Sequence, residues 1–339
     1  MDSAIAGNII SGMPEADYFA LPRLSQSAIK KILHSPAHYK HAQDKESAAM
    51  KQGSLIDVAL TEPERLDTDY YIVVDDFRIA SAPNTIDPPS DPMTLNDIAR
   101  LYPERLDTDF FVVPDSFRMD KRSQAYKDAL MEANGRELVK KKDMDHALDI
   151  RAFIKSANGR ILVKQADMDA ALRVRDTVQS HPIAQQLLEN VVSQQVALWT
   201  EQTDYGPVDM KARIDWANPD MNVLIDLKST DDARAFPKKA SNFGYHIQDA
   251  CYRHGWQEAG GWPVDAFVFV VVEREIPHGI KLYELNQRAR DLGWRQYRRG
   301  VETYAKCKQN DNWYCYDPMI DEVDLPGWSY YEDEQNGED

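Results

Sequence analysis

The pattern of apolar and polar positions is clearest between residues 208 and 228. From Val208 to Trp216, Met210, Ala212 and Ile214 share one side of an extended chain, and Lys211, Arg213 and Asp215 share the other. A turn over residues 217–222 leads into a second strand, 223–228, where Asp226 and Lys228 again share a side. Paired antiparallel, these strands would bring Asp215 close to Asp226 and Lys228. Residues 266–272 form a short unbroken apolar run that suits a buried strand. Helical spacing governs other stretches. Gln248 and Tyr252 stand at i and i+4 in a helix starting near Tyr245. Trp294, Tyr297, Val301 and Tyr304 recur at three and four residues, giving one apolar helix face. Residues 190–201 also read as a helix, ending in Trp199-Thr200-Glu201-Gln202.

Two internal duplications interrupt this pattern. Residues 63–79 recur at 103–119, with 11 of 17 positions identical, and residues 133–151 recur at 157–175, with 13 of 19 identical. The offsets, 40 and 24, differ and each unit occurs twice, so this is no solenoid. The first unit reads as a turn plus a short strand. The second reads as a glycine turn, an extended segment and a helix capped by Asp143 or Asp167. Residues 81–92, rich in Pro, Ser and Asp, read as a loop. The duplicated arm either flanks the active site or pads the fold.

Composition sets broad limits. The chain has 339 residues, 43% hydrophobic and 28% charged, which is globular rather than disordered. Length alone suggests about two domains, but the pattern fits one enlarged domain over 1–308, with a duplicated arm at 63–175, a core at 190–286 and an acidic tail at 309–339. No apolar run reaches the ~18 residues of a membrane span, and the start lacks a basic-then-apolar leader pattern. Cys251, Cys307 and Cys315 are too few for a disulfide framework, which predicts a reducing, cytoplasmic setting.

The net charge of -16 argues at first against a nucleic-acid partner. Its distribution changes that. Residues 309–339 hold ten Asp/Glu and no Lys or Arg, so the other 308 residues carry only -6. Just before the tail, Arg288, Arg290, Arg295, Arg298, Arg299, Lys306 and Lys308 crowd one stretch. That face is either a solvated helix side or a phosphate-facing one.

The candidate chemistry sits on the two alternating strands. Two carboxylates beside a lysine cost energy unless a cation lies between them. A hard divalent ion with oxygen ligands removes that cost, and a lysine beside it can orient an attacking water. Asp-(ten residues)-Asp-x-Lys alone is a weak pattern, equally compatible with a strand-face ion pair. Glu201 upstream and Gln248-x-x-x-Tyr252 downstream strengthen it. Together with Glu201, Asp215 and Asp226-Leu227-Lys228, these residues resemble the PD-(D/E)xK nuclease superfamily and, more narrowly, the RecE-type exonuclease VIII group of phage and prophage recombination nucleases. Residues 24–30 (LSQSAIK) with 35–39 (SPAHY) resemble that group's N-terminal helix motif, and residues 53–64 resemble its Gly-[Ser/Thr]-x-x-His segment.

The resemblance spans roughly residues 20–305 and implies an α/β (α+β) fold: a restriction-endonuclease-like core, its central mixed sheet flanked by helices, with an N-terminal helical region and the duplicated segment inserted. It implies Mg²⁺, with Mn²⁺ as a substitute, bound by Asp215, Asp226, Asp57, Glu201 and the Leu227 carbonyl. Asp57 stands where the family usually has His, which puts metal preference and turnover in question. By the same resemblance Lys228 positions the water, and Gln248 and Tyr252 brace the site or touch DNA. Neighbouring Arg213 and Lys211, and the helix start at Ser25 and Ser27, are candidates for phosphate contact. Three dispersed cysteines do not suit the iron–sulfur cluster of some relatives.

The implied activity is 5′-to-3′ digestion of double-stranded DNA that leaves a 3′ single-stranded tail. A tetrameric ring, a single-strand annealing partner, no membrane and a bacterial cytoplasm of phage or prophage origin complete the expectation. An endonuclease or single-strand nuclease of the same fold is the first alternative. A DNA- or partner-binding protein with an impaired site is the second, and a DNA mimic using the acidic tail the third.

Overall fold

The computed structural model describes residues 8–43, 48–73, 98–99, 102–316 and 319–325. The expected loop at 81–92 and the end of the acidic tail lie outside them. The central sheet runs β1 (Ile9–Ser11), β7 (Val192–Glu201), β8 (Val208–Asn218), β9 (Val223–Thr230), β10 (Ala266–Glu273) and β11 (Ile280–Glu284), with β2 (Leu24–Ser25) added alongside β8. β9 and β10 pair in parallel and β7, β8 and β9 antiparallel, so the sheet is mixed.

Residues 190–201 are a correction. Residues 192–201 of this stretch form strand β7, not a helix, because β1 and β8 pair with it from both sides. The run Val196-Ala197-Leu198-Trp199 fits a strand between two neighbours as well as it fits a helix, and periodicity alone does not separate the two.

Helices cover both faces. On one side lie α2 (Gln26–His34), α11 (Phe236–Asn242), α12 (Tyr245–Glu258) and α13 (Gln287–Asn310), packed on Met210, Ala212, Ile214, Leu224, Phe267 and Phe269. On the other, α4 (Ala48–Thr61), α9 (Gln165–Ser180) and α10 (Pro182–Leu187) pack on Trp216, Ile225, Leu227, Val270 and Val272. Short helices α1 (Glu15–Ala20) and α3 (Pro36–Lys40) complete the N-terminal region. Tyr297 and Val301 of the basic helix α13 are fully buried, as the apolar spacing predicts.

Strand β8 changes neighbours along its length. Met210 and Lys211 pair with β2, whereas Trp216–Asn218 pair with β9. A fork therefore opens beside Asp215.

The duplicated arm is nested. After α5 (Arg65–Asp69), β3 (Tyr70–Val73) pairs in parallel with β6 (Ile161–Lys164), which leads into α9. Inside that crossover, α6 (Arg105–Thr108) and β4 (Phe110–Val113) are followed by α7 (Gln124–Ala133), β5 (Glu137–Lys140) and α8 (Lys141–Ala157), with β4 parallel to β5. Tyr70 faces Ile161 and Phe110 faces Glu137, so the two ladders keep the same register at offsets of 40 and 24. Small contacts are copied too. The Arg160 guanidinium lies 4.6 Å from the Tyr71 ring centre, and that of Arg136 lies 5.1 Å from the Phe111 ring. Asp143 and Asp167 fall in the first turns of α8 and α9 and do not cap them, because the helices begin directly at the ends of β5 and β6.

Candidate active site

Where β8 leaves β9, the Leu227 amide loses the strand partner that continued pairing would supply. The Asp215 carboxylate takes its place, with Oδ2 accepting from Leu227 N at 2.8 Å. This fixes Asp215 at the fork, one strand away from Asp226. Buried Asp226 accepts from Gln248 Nε2 of α12 through Oδ1, and its Oδ2 forms an ion pair with Lys228. Oδ2 is buried and has no hydrogen bond of ordinary geometry, which leaves acceptor capacity open. The Lys228 ammonium also sits 4.9 Å from the Tyr245 ring centre, at the start of α12.

A third carboxylate arrives from the opposite layer. A Cβ at Gly53 of α4 would lie 3.1 Å from Ser229 Oγ, so glycine lets α4 lie close against β9. Asp57, one turn later, shares that helix face. Burial first, and then the Asp226 charge, push its carboxyl up to about 7. Asp215 is pushed well above the usual carboxylate range by burial, Asp226 and Asp57. Burial opposes the charge on Lys228, but Asp226 and Asp215 outweigh it and raise its value. Tyr252 is raised by burial, with Tyr18, Asp226 and Asp215 adding to it, so the second member of the Gln/Tyr pair also faces the acidic group.

Burial and the Asp226 charge disfavour ionisation of Asp57 and Asp215, and with an open lone pair on Asp226 the group suits a hard divalent cation. The donor set is all oxygen. Among the described residues no three His, Cys, Asp or Glu already stand close enough to hold an ion. The carboxyls gather around Lys228 instead.

Residues 25–317 match the family described as "PDDEXK-like domain of unknown function (DUF3799)". The chain belongs to that family. The mixed sheet with helices on both faces is the PDDEXK-like nuclease fold expected from the motifs. No curated protein matches the sequence. Among solved structures, a protein from Eubacterium rectale described as "Putative exonuclease" is similar at 11% identity and a TM-score of 0.46, covering 96% of this chain and 98% of its own. SSO0001 is similar at 12% identity and a TM-score of 0.25, over 40% of this chain and 68% of its own.

Around this PDDEXK-like centre the other expected residues divide. Ser25 caps α2, accepting from Ala28 N at 3.4 Å, and its Oγ lies 2.9 Å from that of Ser27. Arg213 is tied to Gln194 and, through Nη2, to Glu62 at 3.1 Å, near enough to Asp57 to lower its carboxyl.

Two residues are not brought in. The buried Lys211 ammonium donates to the carbonyls of Tyr18, Phe19 and Leu21 at 2.7–3.3 Å, which leaves no donor for a phosphate. Glu201 sits at the end of β7 and is fully engaged elsewhere. Its Oε1 accepts from Trp199, Tyr297 and His254 at 2.6–2.9 Å, and its Oε2 pairs with Arg298 at 2.6 Å. Burial would raise this carboxyl, but hydrogen bonds from His254, Tyr297 and Trp199 hold it at about 2. It serves as a clasp between β7, α12 and α13.

Tyr245 and Lys30 are residues of the centre that the strand-and-motif reading gave no role. Lys30 ends the quoted segment 24–30, and Tyr245 opens the helix that carries Gln248 and Tyr252. What was not legible was the approach of α2 to the start of α12. Among the described residues, no helix is long and apolar enough to cross a membrane.

Proposed function

We propose that the protein is a metal-dependent DNA exonuclease of the RecE type. The observation that supports it most is the meeting of Asp57, Asp215, Asp226 and Lys228 at a fork in a PDDEXK-like sheet. Bound by Asp57, Asp215 and Asp226, a hard divalent cation such as Mg²⁺ would supply charge stabilisation toward a phosphate oxygen and a lowered pKa for water. The chain's own groups do the rest. Gln248 holds the Asp226 carboxylate in one orientation. The Leu227 amide does the same for Asp215, and the Leu227 carbonyl lies on the same strand for a further oxygen contact. Lys228, steadied over Tyr245, orients the attacking water.

Double-stranded DNA as substrate, 5′-to-3′ polarity, 3′ tails used in recombination, a ring-shaped homo-oligomer and a single-strand annealing partner follow from the RecE resemblance, and belong to the same proposal. Incubation of linear and covalently closed duplex with Mg²⁺ or Mn²⁺ separates the possibilities. The exonuclease reading expects loss of linear DNA only. Digestion of closed circles would make the protein an endonuclease. Inactivity in both metals would favour a DNA-binding protein, a reading motivated by Asp57 in the place of the family's His.

A further inference from the structure

We propose that Lys30 is a DNA-contacting residue, which together with Lys228 forms a cationic seat for a phosphodiester oxygen at the start of α12. This rests on the nuclease reading and extends its site to a residue with no assigned role. Lys30 lies on α2, one turn after Ser27. Its Nζ donates to the Phe243 carbonyl at 2.8 Å. Its stem lies on Gly244, where a Cβ would come within 2.8 Å of Lys30 Cδ and 3.2 Å of Cγ. Gly244 has φ +66, so both backbone conformation and space call for glycine there.

The next residue, Tyr245, carries Lys228 at its ring. Two ammonium groups thus flank the turn 243–245. Like charges brought together cost energy unless a counter-charge joins them. Asp226 pairs with Lys228. Among the described residues, no carboxylate lies within ion-pair distance of Lys30. Burial lowers Lys30 to about 8; the Lys228 charge adds to that effect and the Asp226 charge offsets only part of it. One of its three donors is spent on Phe243, so two remain for a ligand. An anionic oxygen here would accept those bonds and offset the repulsion. In a nuclease, the anion that passes the catalytic lysine is a backbone phosphate.

The bland role for Lys30 is to hold the carbonyl that ends α11. Lys30→Met keeps the stem on Gly244 and removes charge and donors, whereas Lys30→Arg keeps the charge. The full-length protein is tested in EDTA against a labelled 20-bp duplex over a range of salt, then for hydrolysis in Mg²⁺. Loss of one phosphate contact should weaken Lys30→Met binding by about tenfold at 0.1 M salt and flatten the salt slope by roughly 0.9. KM should rise about tenfold with little change in kcat, the signature of lost uniform binding. Lys30→Arg should recover most of the affinity. Wild-type binding and slope in Lys30→Met overturn the proposal, even if Tm falls. A wild type that binds duplex but never hydrolyses it sinks the nuclease reading, while the Lys30 comparison remains readable in EDTA. A wild type that binds no duplex overturns both.

Discussion

The chain contains the same α/β module twice, in two different settings. In the outer copy, β3, β6 and α9 present Tyr70, Val163, Met168, Ala171, Val174 and Val178 to the central sheet, and Val174 and Val178 are fully buried there. The corresponding face of the inner copy, Phe110, Val139, Met144, Ala147 and Ile150, packs with Ile98, Ala99 and Leu106 in a small core of its own, and Ile150 stays half-buried. Both copies keep one strand register and one arginine-over-aromatic contact. Strand pairing and turn chemistry are therefore local properties that travel with the repeated segment. Docking is not local: it needs a surface, and only the outer copy has the sheet beneath it.

Substitution at equivalent positions breaks this comparison most sharply. Val174→Asp buries a charge against the sheet and should cost on the order of 4 kcal/mol or more. Ile150→Asp should cost about 1–2 kcal/mol, because its site is half open to water. Urea unfolding measures both. Equal losses would mean that the two modules are equally integral to the fold.

A milder test removes one copy altogether. Joining Val73 to Pro114 and Arg136 to Ile161 deletes one copy of each repeat and leaves the crossover that carries α7. Parallel strands need such a crossover, and β3 and β6 should then pair in the register β4 and β5 now use. The shortened protein should keep Tm within about 5 °C and hydrolysis within about threefold. Loss of activity with the fold intact, read by circular dichroism, would give the inner copy a place in catalysis.

The smallest effect concerns the carboxyl that the outer module's partner helix delivers. Asp57 has a folded value near 7 against an ordinary 3.8. Between about pH 4 and 7 the folded state therefore holds more protons than the unfolded state, and stability falls as pH rises through that window. In EDTA, Asp57→Asn should raise Tm at pH 8 by about 5 °C and leave it unchanged near pH 4. Mg²⁺ should narrow the difference. A wild-type protein that gains stability from pH 5 to pH 8 in EDTA would contradict the placement of Asp57 among the other carboxyls.

Much of the strand pair that carries Asp215 and Asp226 was legible in the sequence. The alternation around Asp215, Asp226 and Lys228 sets which side chains can meet, whereas Asp57 entered only through the resemblance of residues 53–64, and the close approach at Gly53 that brings it in is a property of the fold. The fork was not legible, since it depends on β2 taking up the edge of β8. The apolar run of β7 fits either period, and its misassignment as a helix carried Glu201 toward the metal, although Tyr297, His254 and Arg298 hold it in a clasp. Lys211 failed for a related reason: alternation gives its side of the strand, but only the fold reveals the three carbonyls of α1 and its following turn waiting there. The nested pairing of the repeats was equally hidden, because order along the chain does not say which copy pairs with which.

The central claim is that the carboxyls around Lys228 form a hydrolytic metal centre. Hydrolysis of linear duplex DNA by wild type and Lys228→Ala, titrated with Mg²⁺, tests it most directly. The account predicts metal-dependent digestion by wild type and a loss of about 1,000-fold or more in Lys228→Ala, with the variant still folded and still binding DNA. Undiminished digestion by Lys228→Ala, or digestion by wild type in EDTA, would contradict it.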